Sequence, residues 1–146
     1  KGRMASVIFH AYNQIRVNKK MNLFRSHRED FNDGQQLRDF IYVKDVLKTI
    51  GFLFDNRDEV NPGIYNLGKG EARTFEDLTN AVFMAMGIKS NIEYVDMPED
   101  IRDNYQYYTC AKMGKLRSQG FDIKMYSLEE GIHDYVKNYL FDKYYL

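Results

Sequence analysis

The sequence predicts a mixed α/β fold, and three observations predict it. Short apolar runs of strand type (MNLFR at 21–25, DFIYV at 39–43, IYNLG at 64–68, NIEYVDM at 91–97) alternate with segments of helical period. Turn signals separate them, Asn32-Asp33-Gly34 and Asn61-Pro62-Gly63. Two capping boxes, at Thr74-Phe75-Glu76-Asp77 and Ser127-Leu128-Glu129-Glu130, open helices by satisfying backbone amides that the first turn leaves without partners.

Taken in order, Met4 to about Asn18 reads as a helix, with Val7, Ile8, Ala11, Tyr12 and Ile15 on one stripe. MNLFR follows as a short strand, and 26–37 is a polar stretch with a turn at Gly34. DFIYV is expected to be a buried strand, framed by Arg38-Asp39 at its start and Asp45 past its end. A helix over 43–56 should turn Val46, Leu47, Ile50 and Leu53 inward, and IYNLG should be a second buried strand. The Thr74 cap opens a helix to about Met86, NIEYVDM is a strand, and residues 111–120 form a short helix ending at Gly120. The Ser127 cap opens a last helix to about Leu140, with Leu128, Ile132, Tyr135 and Tyr139 on one face. No internal repeat or low-complexity linker divides the chain, so one domain is expected.

Composition excludes several functions. The 146 residues carry 21 Lys plus Arg against 21 Asp plus Glu, so there is no global basic field for nucleic acid. Locally, Arg16, Lys19, Lys20, Arg25, Arg28 and Arg38, with His27 among them, form either an anion site or a solvated face. A lone cysteine, Cys110, excludes a disulfide framework or a Cys-based zinc site and suits a reducing compartment. The three histidines show no metal-ligand spacing. No apolar run reaches the roughly 18 residues of a membrane span, and no signal peptide is visible, so a cytoplasmic protein away from membranes is expected. The chain opens Lys-Gly-Arg and runs straight into a helical pattern without a methionine or a preceding strand, which reads as an internal position of a larger protein.

Two motifs are decoys. Gly68-Lys69-Gly70-Glu71-Ala72-Arg73 lacks the third glycine of a dinucleotide loop and reads as a turn before the Thr74 cap. Tyr108 with Lys112, and Tyr139 with Lys143, match the Tyr-x-x-x-Lys spacing in which a lysine charge makes a phenolate available. Neither follows a cofactor-binding half, and both are rejected.

RDFIYVKDV resembles the Arg-Asp-Phe-x-x-Val-x-Asp segment of extended short-chain dehydrogenases acting on nucleotide sugars. GIYNLGKG resembles that family's Gly-x-Tyr/Phe-Asn-Leu-Gly segment, and SLEEGI the opening of its last helix. KGRMASVIFH and NYQYYT are similar to those members of the family that act on ADP-heptose. The resemblance covers nearly the whole chain. It implies a substrate-binding C-terminal region over 1–146, mixed α/β with short strands and flanking helices, lacking the Rossmann half that would hold most of the NADP.

The resemblance further implies an isomerase. It would invert C6 of the heptose by NADP-dependent oxidation and re-reduction, supplying heptose for the lipopolysaccharide core. Lys1 would be catalytic and touch the cofactor. Arg3 and His10 would flank the sugar, and Phe24, Arg25, Ser26 and His27 would form a loop against the nucleotide. Arg38 would meet the diphosphate and Tyr105 the phosphate or sugar, with Asp39 and Asp45 structural. A homo-oligomer, commonly a pentamer, is implied as well. Position 3 is Arg where the family often has a small hydroxyl residue, and 28–37 is lengthened. Alternative readings are another nucleotide-sugar epimerase or dehydratase, and a non-catalytic sugar-nucleotide binding module.

Overall fold

A computed structural model describes residues 6–141. Helix α1 spans Val7–Asn18. Ser6 caps it, its Oγ accepting the Ile8 N–H at 3.2 Å, and Lys19 ends it in the left-handed region at φ 56°. Ala11, Tyr12 and Ile15 face inward as their spacing predicts, whereas Val7 at the open end is exposed. Strand β1, Met21–Phe24, lies parallel to a later strand and alternates as a half-buried strand should, with Met21 and Leu23 inside.

Strand β2 is Leu37–Arg38, two residues earlier than the sequence predicts. Residues 39–42 belong to no ladder and Val43 opens a helix, so the expected strand at 39–43 is not formed. The cause is chemical: the Leu37 N–H donates to the Tyr107 carbonyl at 2.8 Å, and beyond that point the Asp39 side chain takes up the neighbouring backbone amides.

Helix α2, Val43–Asp55, corrects a second expectation. Its fully buried positions are polar, Asp45 only 2 % exposed and Thr49 equally buried, while Val46 and Leu53, expected inside, are half-buried. Leu47 and Ile50, expected inside, are exposed together with Val43 and Phe54, the last at 69 %. The Asp45 carboxylate explains the rotation: it accepts from Lys48 Nζ at 3.1 Å and from the Tyr126 N–H at 3.0 Å. A third correction is IYNLG, which forms no strand; Ile64 is 90 % exposed, and Gly68 is the buried member of the run.

Strand β3, Arg73–Thr74, pairs antiparallel with β2, Leu37 opposite Thr74 and Arg38 opposite Arg73. Helix α3, Phe75–Met86, follows at once. Both halves of its capping box are made: Thr74 Oγ1 accepts the Asp77 N–H at 2.9 Å, and Asp77 Oδ2 accepts the Thr74 N–H at 3.2 Å. Strand β4, Ile92–Val95, runs parallel to β1, with Met21 opposite Ile92 and Phe24 opposite Val95. Two single-turn helices follow, α4 at Glu99–Arg102 and α5 at Gly114–Arg117. Helix α6, Leu128–Tyr135, opens with the second capping box and widens into a π-helical stretch over Val136–Phe141.

The main core lies between α1, α3, α6 and the β1–β4 pair, with Ile15, Leu78, Val82, Phe83, Ile132, Val136 and Leu140 buried in it. Each such side chain contributes about 1.5–3 kcal/mol by leaving water. A smaller core, Met113, Leu116 and Phe121, packs against Phe52 and Leu53 of α2 and Tyr65 and Leu67 of the loop after it. Arg73 ties α3 to α6, meeting Asp77 at 3.1 Å and Glu129 at 2.8 Å. Among the described residues no helix is long and apolar enough to cross a membrane.

Candidate functional site

The site is built where β1, β2 and the segment after α4 meet. Phe24 is the last residue of β1; its carbonyl accepts from Gly34 N–H at 3.2 Å and from the Gln36 side-chain amide at 3.2 Å. Gln36 is fully buried; its side-chain amide holds the end of β1 while its backbone carbonyl accepts the Phe75 N–H, so one residue ties β1 to the start of α3. Gly34 sits at φ +72°, and a side chain there would press into the Tyr94 ring at 2.9 Å. Glycine is therefore required by conformation and by space.

Arg38 is half-buried on β2, and its guanidinium lies over two aromatic rings, 5.5 Å from the centroid of Tyr105 and 5.8 Å from that of Phe75. It donates one hydrogen bond, to the Leu37 carbonyl at 3.0 Å. No carboxylate pairs with it among the described residues. A guanidinium carries five N–H donors in a planar fork, so most of its capacity is open.

Tyr105 stands edge-on to Phe24, with ring centroids 6.2 Å apart, and edge-on to Tyr107 at 5.4 Å. Burial pushes the Tyr105 phenol above its ordinary range, with the Arg38 charge opposing. It is therefore a neutral donor near neutral pH rather than a phenolate base.

The loop beyond Phe24 holds three of the residues named above. Arg25 lies 3.6 Å from Asp33 and 3.8 Å from Asp96, so its charge is partly answered within the chain. The Ser26 N–H donates to Asp33 Oδ1 at 2.8 Å, and the Ser26 hydroxyl donates to the Arg28 carbonyl at 2.8 Å. The His27 side chain is exposed, and its backbone N–H donates to the Tyr107 hydroxyl at 2.9 Å. The structure thus brings Phe24, the 25–27 loop, Arg38 and Tyr105 together. His10 is exposed on α1 against Phe9, with no contact to that group among the described residues. Lys1 and Arg3 lie outside the described residues. A cleft of about 550 Å³ on the flank of the loop is lined by Glu29, Asp33 and Glu76 with Arg28 as its cation, a poor lining for an anionic ligand, and Arg38 is not part of it.

Asp39 and Asp45 are structural. One oxygen of Asp39 accepts the Lys69 N–H at 2.8 Å; the other accepts the N–H groups of Gly70 at 3.0 Å and Ala111 at 2.8 Å. A Cβ on Gly68 would lie 2.4 Å from that carboxylate and 2.4 Å from Ala111 Cβ. The glycine-bearing 68–70 loop is therefore closed over an internal carboxylate. Tyr108 and Lys112 are not on a helix, so the one-turn geometry of a Tyr-x-x-x-Lys pair is absent there. Sequence reading missed Tyr107 and Gln36; NYQYYT contains the first, yet its partners are far away in sequence and no local spacing marks it.

Residues 1–68 match the model of the NAD dependent epimerase/dehydratase family. Among curated proteins, ADP-L-glycero-D-manno-heptose-6-epimerases are similar over 96% of this chain, that of Fusobacterium nucleatum subsp. nucleatum at 49% identity and that of Nitratidesulfovibrio vulgaris strain Hildenborough at 50%. The chain spans 43% of the length of each. Among solved structures, the Helicobacter pylori ADP-L-glycero-D-manno-heptose-6-epimerase is similar over 94% of this chain and 38% of its own, with TM-score 0.67 and 23% identity. A Methanobrevibacter ruminantium UDP-N-acetylglucosamine 4-epimerase reaches TM-score 0.74 at 20% identity, over 97% of this chain and 41% of its own. These structural likenesses concern the fold. The match over residues 1–68 and the curated relatives say what this chain is similar to, and it spans less than half the length of those relatives.

Proposed function

We propose that this chain is the substrate-binding region of an enzyme that converts ADP-D-glycero-D-manno-heptose to ADP-L-glycero-D-manno-heptose by oxidation and re-reduction at C6. The observation that carries this reading is Arg38, a half-buried guanidinium held over Tyr105 and Phe75 with no carboxylate partner among the described residues. A fork of charged donors held in place by aromatic rings is suited to a diphosphate, whose oxygens it can meet bidentately. Similarity to the ADP-heptose epimerases over 96% of the chain supports the choice of sugar nucleotide.

Phe24 and Tyr105 offer ring faces and edges beside that cation, and Tyr105 adds a neutral hydroxyl. The residues 25–27 border the nucleotide. Lys1, Arg3 and His10 are assigned to the sugar end by resemblance, with Lys1 as an acid/base group beside the cofactor. An ordinary lysine has a pKa of about 10.4, so Lys1 needs burial or a cationic neighbour to act near neutral pH.

A nicotinamide cofactor, NADP in this reading, supplies hydride chemistry to the family. The described residues do not fit it: the Lys69 and Gly70 amides that could cradle a phosphate are committed to Asp39. The cofactor therefore belongs to a separate dinucleotide-binding half, and no hydride step is assigned to the residues described. The exposed apolar stripe Val43, Leu47, Ile50 and Phe54 on α2 is the face on which that half docks, because a stripe at this spacing otherwise leaves four large apolar side chains in water. The enzyme is further proposed to be a cytoplasmic homo-oligomer that supplies heptose for the lipopolysaccharide core.

The test is turnover by the full-length protein of ADP-D-glycero-D-manno-heptose against UDP-glucose, with NADP or NAD bound. Conversion of the ADP sugar is expected, and turnover of the UDP sugar alone would sink the proposal. Lys1→Met should lower turnover with substrate binding retained; an unaffected rate would remove Lys1 from the mechanism.

A further inference from the structure

Tyr107 is 6 % exposed, and every part of it is used. Its carbonyl accepts the Leu37 N–H of β2 at 2.8 Å. Its ring packs edge-on against Tyr105, with centroids 5.4 Å apart, and tilted against Phe31 at 5.3 Å, while the Arg28 guanidinium lies 5.1 Å from its centroid. Its hydroxyl accepts the His27 N–H at 2.9 Å, from 80 residues away in sequence.

The amides of the loop show why that hydroxyl matters. Three consecutive N–H groups, those of Ser26, His27 and Arg28, each donate to a side-chain oxygen. Asp33 accepts the first and Ser26 the third, and both belong to the same loop. The second acceptor, Tyr107, comes from a different segment and touches Tyr105, the ring beneath Arg38. A loop this polar and exposed has little apolar burial to hold it; the Val95 carbonyl anchors its start by accepting the Arg25 N–H at 2.8 Å, and the Tyr107 hydroxyl is the acceptor from another segment that fixes its middle.

We propose that Tyr107 is a positioning residue for the substrate site, locking the 25–28 loop in register with Tyr105 and Arg38. The assignment rests on the sugar-nucleotide reading of that site. Its role passes through the loop backbone and the Tyr105 ring.

The experiment uses the full-length enzyme and ADP-D-glycero-D-manno-heptose. Tyr107→Phe keeps the ring and deletes the hydroxyl; it should raise KM about three- to tenfold, the scale of one neutral hydrogen bond, with kcat and thermal midpoint held. Trypsin should also cut the variant faster after Arg25 and Arg28. Phe31→Leu, which thins the ring contact from the loop side, should shift KM the same way and serves if Tyr107→Phe is poorly folded. An unchanged KM with a lowered thermal midpoint makes Tyr107 merely structural and overturns the proposal, as does an unchanged cleavage rate. Arg38→Ala run in parallel separates the two ideas. If it raises KM and Tyr107→Phe does not, the positioning role alone fails; if it too leaves KM unchanged, the reading of the site fails.

Discussion

The guanidinium of Arg38 lies over the ring of Tyr105, 5.5 Å from its centroid, with the Phe75 ring at 5.8 Å. A cation held this way is oriented without being neutralised. Arg38→Ala in the full-length protein should weaken sugar-nucleotide binding by about 1.5–3 kcal/mol, the scale of a charge-assisted hydrogen bond. Arg38→Lys should recover only part of it, since a point charge cannot reproduce the fork. Calorimetric titration with the ADP sugar reads both; unchanged affinity with lowered thermal stability would mark Arg38 as structural.

Gly68→Ala places a methyl group 2.4 Å from both the Asp39 carboxylate and Ala111 Cβ, and neither is the end of a long flexible side chain. Overpacking of this kind costs about 1–3 kcal/mol. The urea midpoint should fall accordingly, with the slope of the transition retained.

Asp39→Ala leaves the amides of Lys69, Gly70 and Ala111 without their acceptor at once. A loss of more than about 2 kcal/mol is expected, because each unsatisfied donor carries its own desolvation cost. A midpoint equal to the parent's would show that water replaces the carboxylate freely.

Stability should fall in acid. The Asp77 and Asp134 carboxyls are pushed up by burial, yet hydrogen bonds from Arg73 and Thr74, and from Lys44, Tyr42 and Asn138, hold them below their ordinary value. Glu129 is held down by Arg73. Groups whose folded pKa is depressed stabilise fully above the unfolded range of about 4, and that contribution disappears as pH falls through the folded values. Chemical denaturation at pH 7, 5 and 3 should show little change from these groups in the first step and a loss in the second. Asp77→Asn should shrink that loss; an identical pH profile would remove Asp77 from the acid sensitivity.

Leu47→Ala and Phe54→Ala distinguish an open α2 stripe from a covered one. Exposed side chains change stability by less than about 0.5 kcal/mol when truncated, whereas buried ones cost about 2–5. The larger value is expected in the full-length protein, read by thermal or urea denaturation.

What the sequence made legible was chemistry complete within a few residues. The Thr74 and Ser127 capping boxes formed as written, because each needs partners three positions apart. Arg38 was singled out through the resemblance carried by RDFIYVKDV, and the structure shows it half-buried over Tyr105 and Phe75. The strands expected at 39–43 and 64–68 were not formed, because a strand is defined by a partner and Asp39 captures the amides that a ladder would use. The α2 stripe misled for a related reason. Periodicity locates an apolar face but not what covers it, and here the buried side is the one on which Asp45 receives Tyr126. Tyr107 carried no local signal at all, since its hydroxyl serves a residue 80 positions away.

The Asp39 carboxylate also bears on how the chain comes together. Its donors lie 30, 31 and 72 positions along the sequence, so two loops of different length must both close before it is filled. Each closure costs chain entropy, and neither alone satisfies the charge. The second, smaller core, which hangs on the segments around 67 and 111, therefore has little tendency to order piecemeal. In hydrogen exchange, the amides of Lys69, Gly70 and Ala111 should report one shared opening event rather than three separate ones.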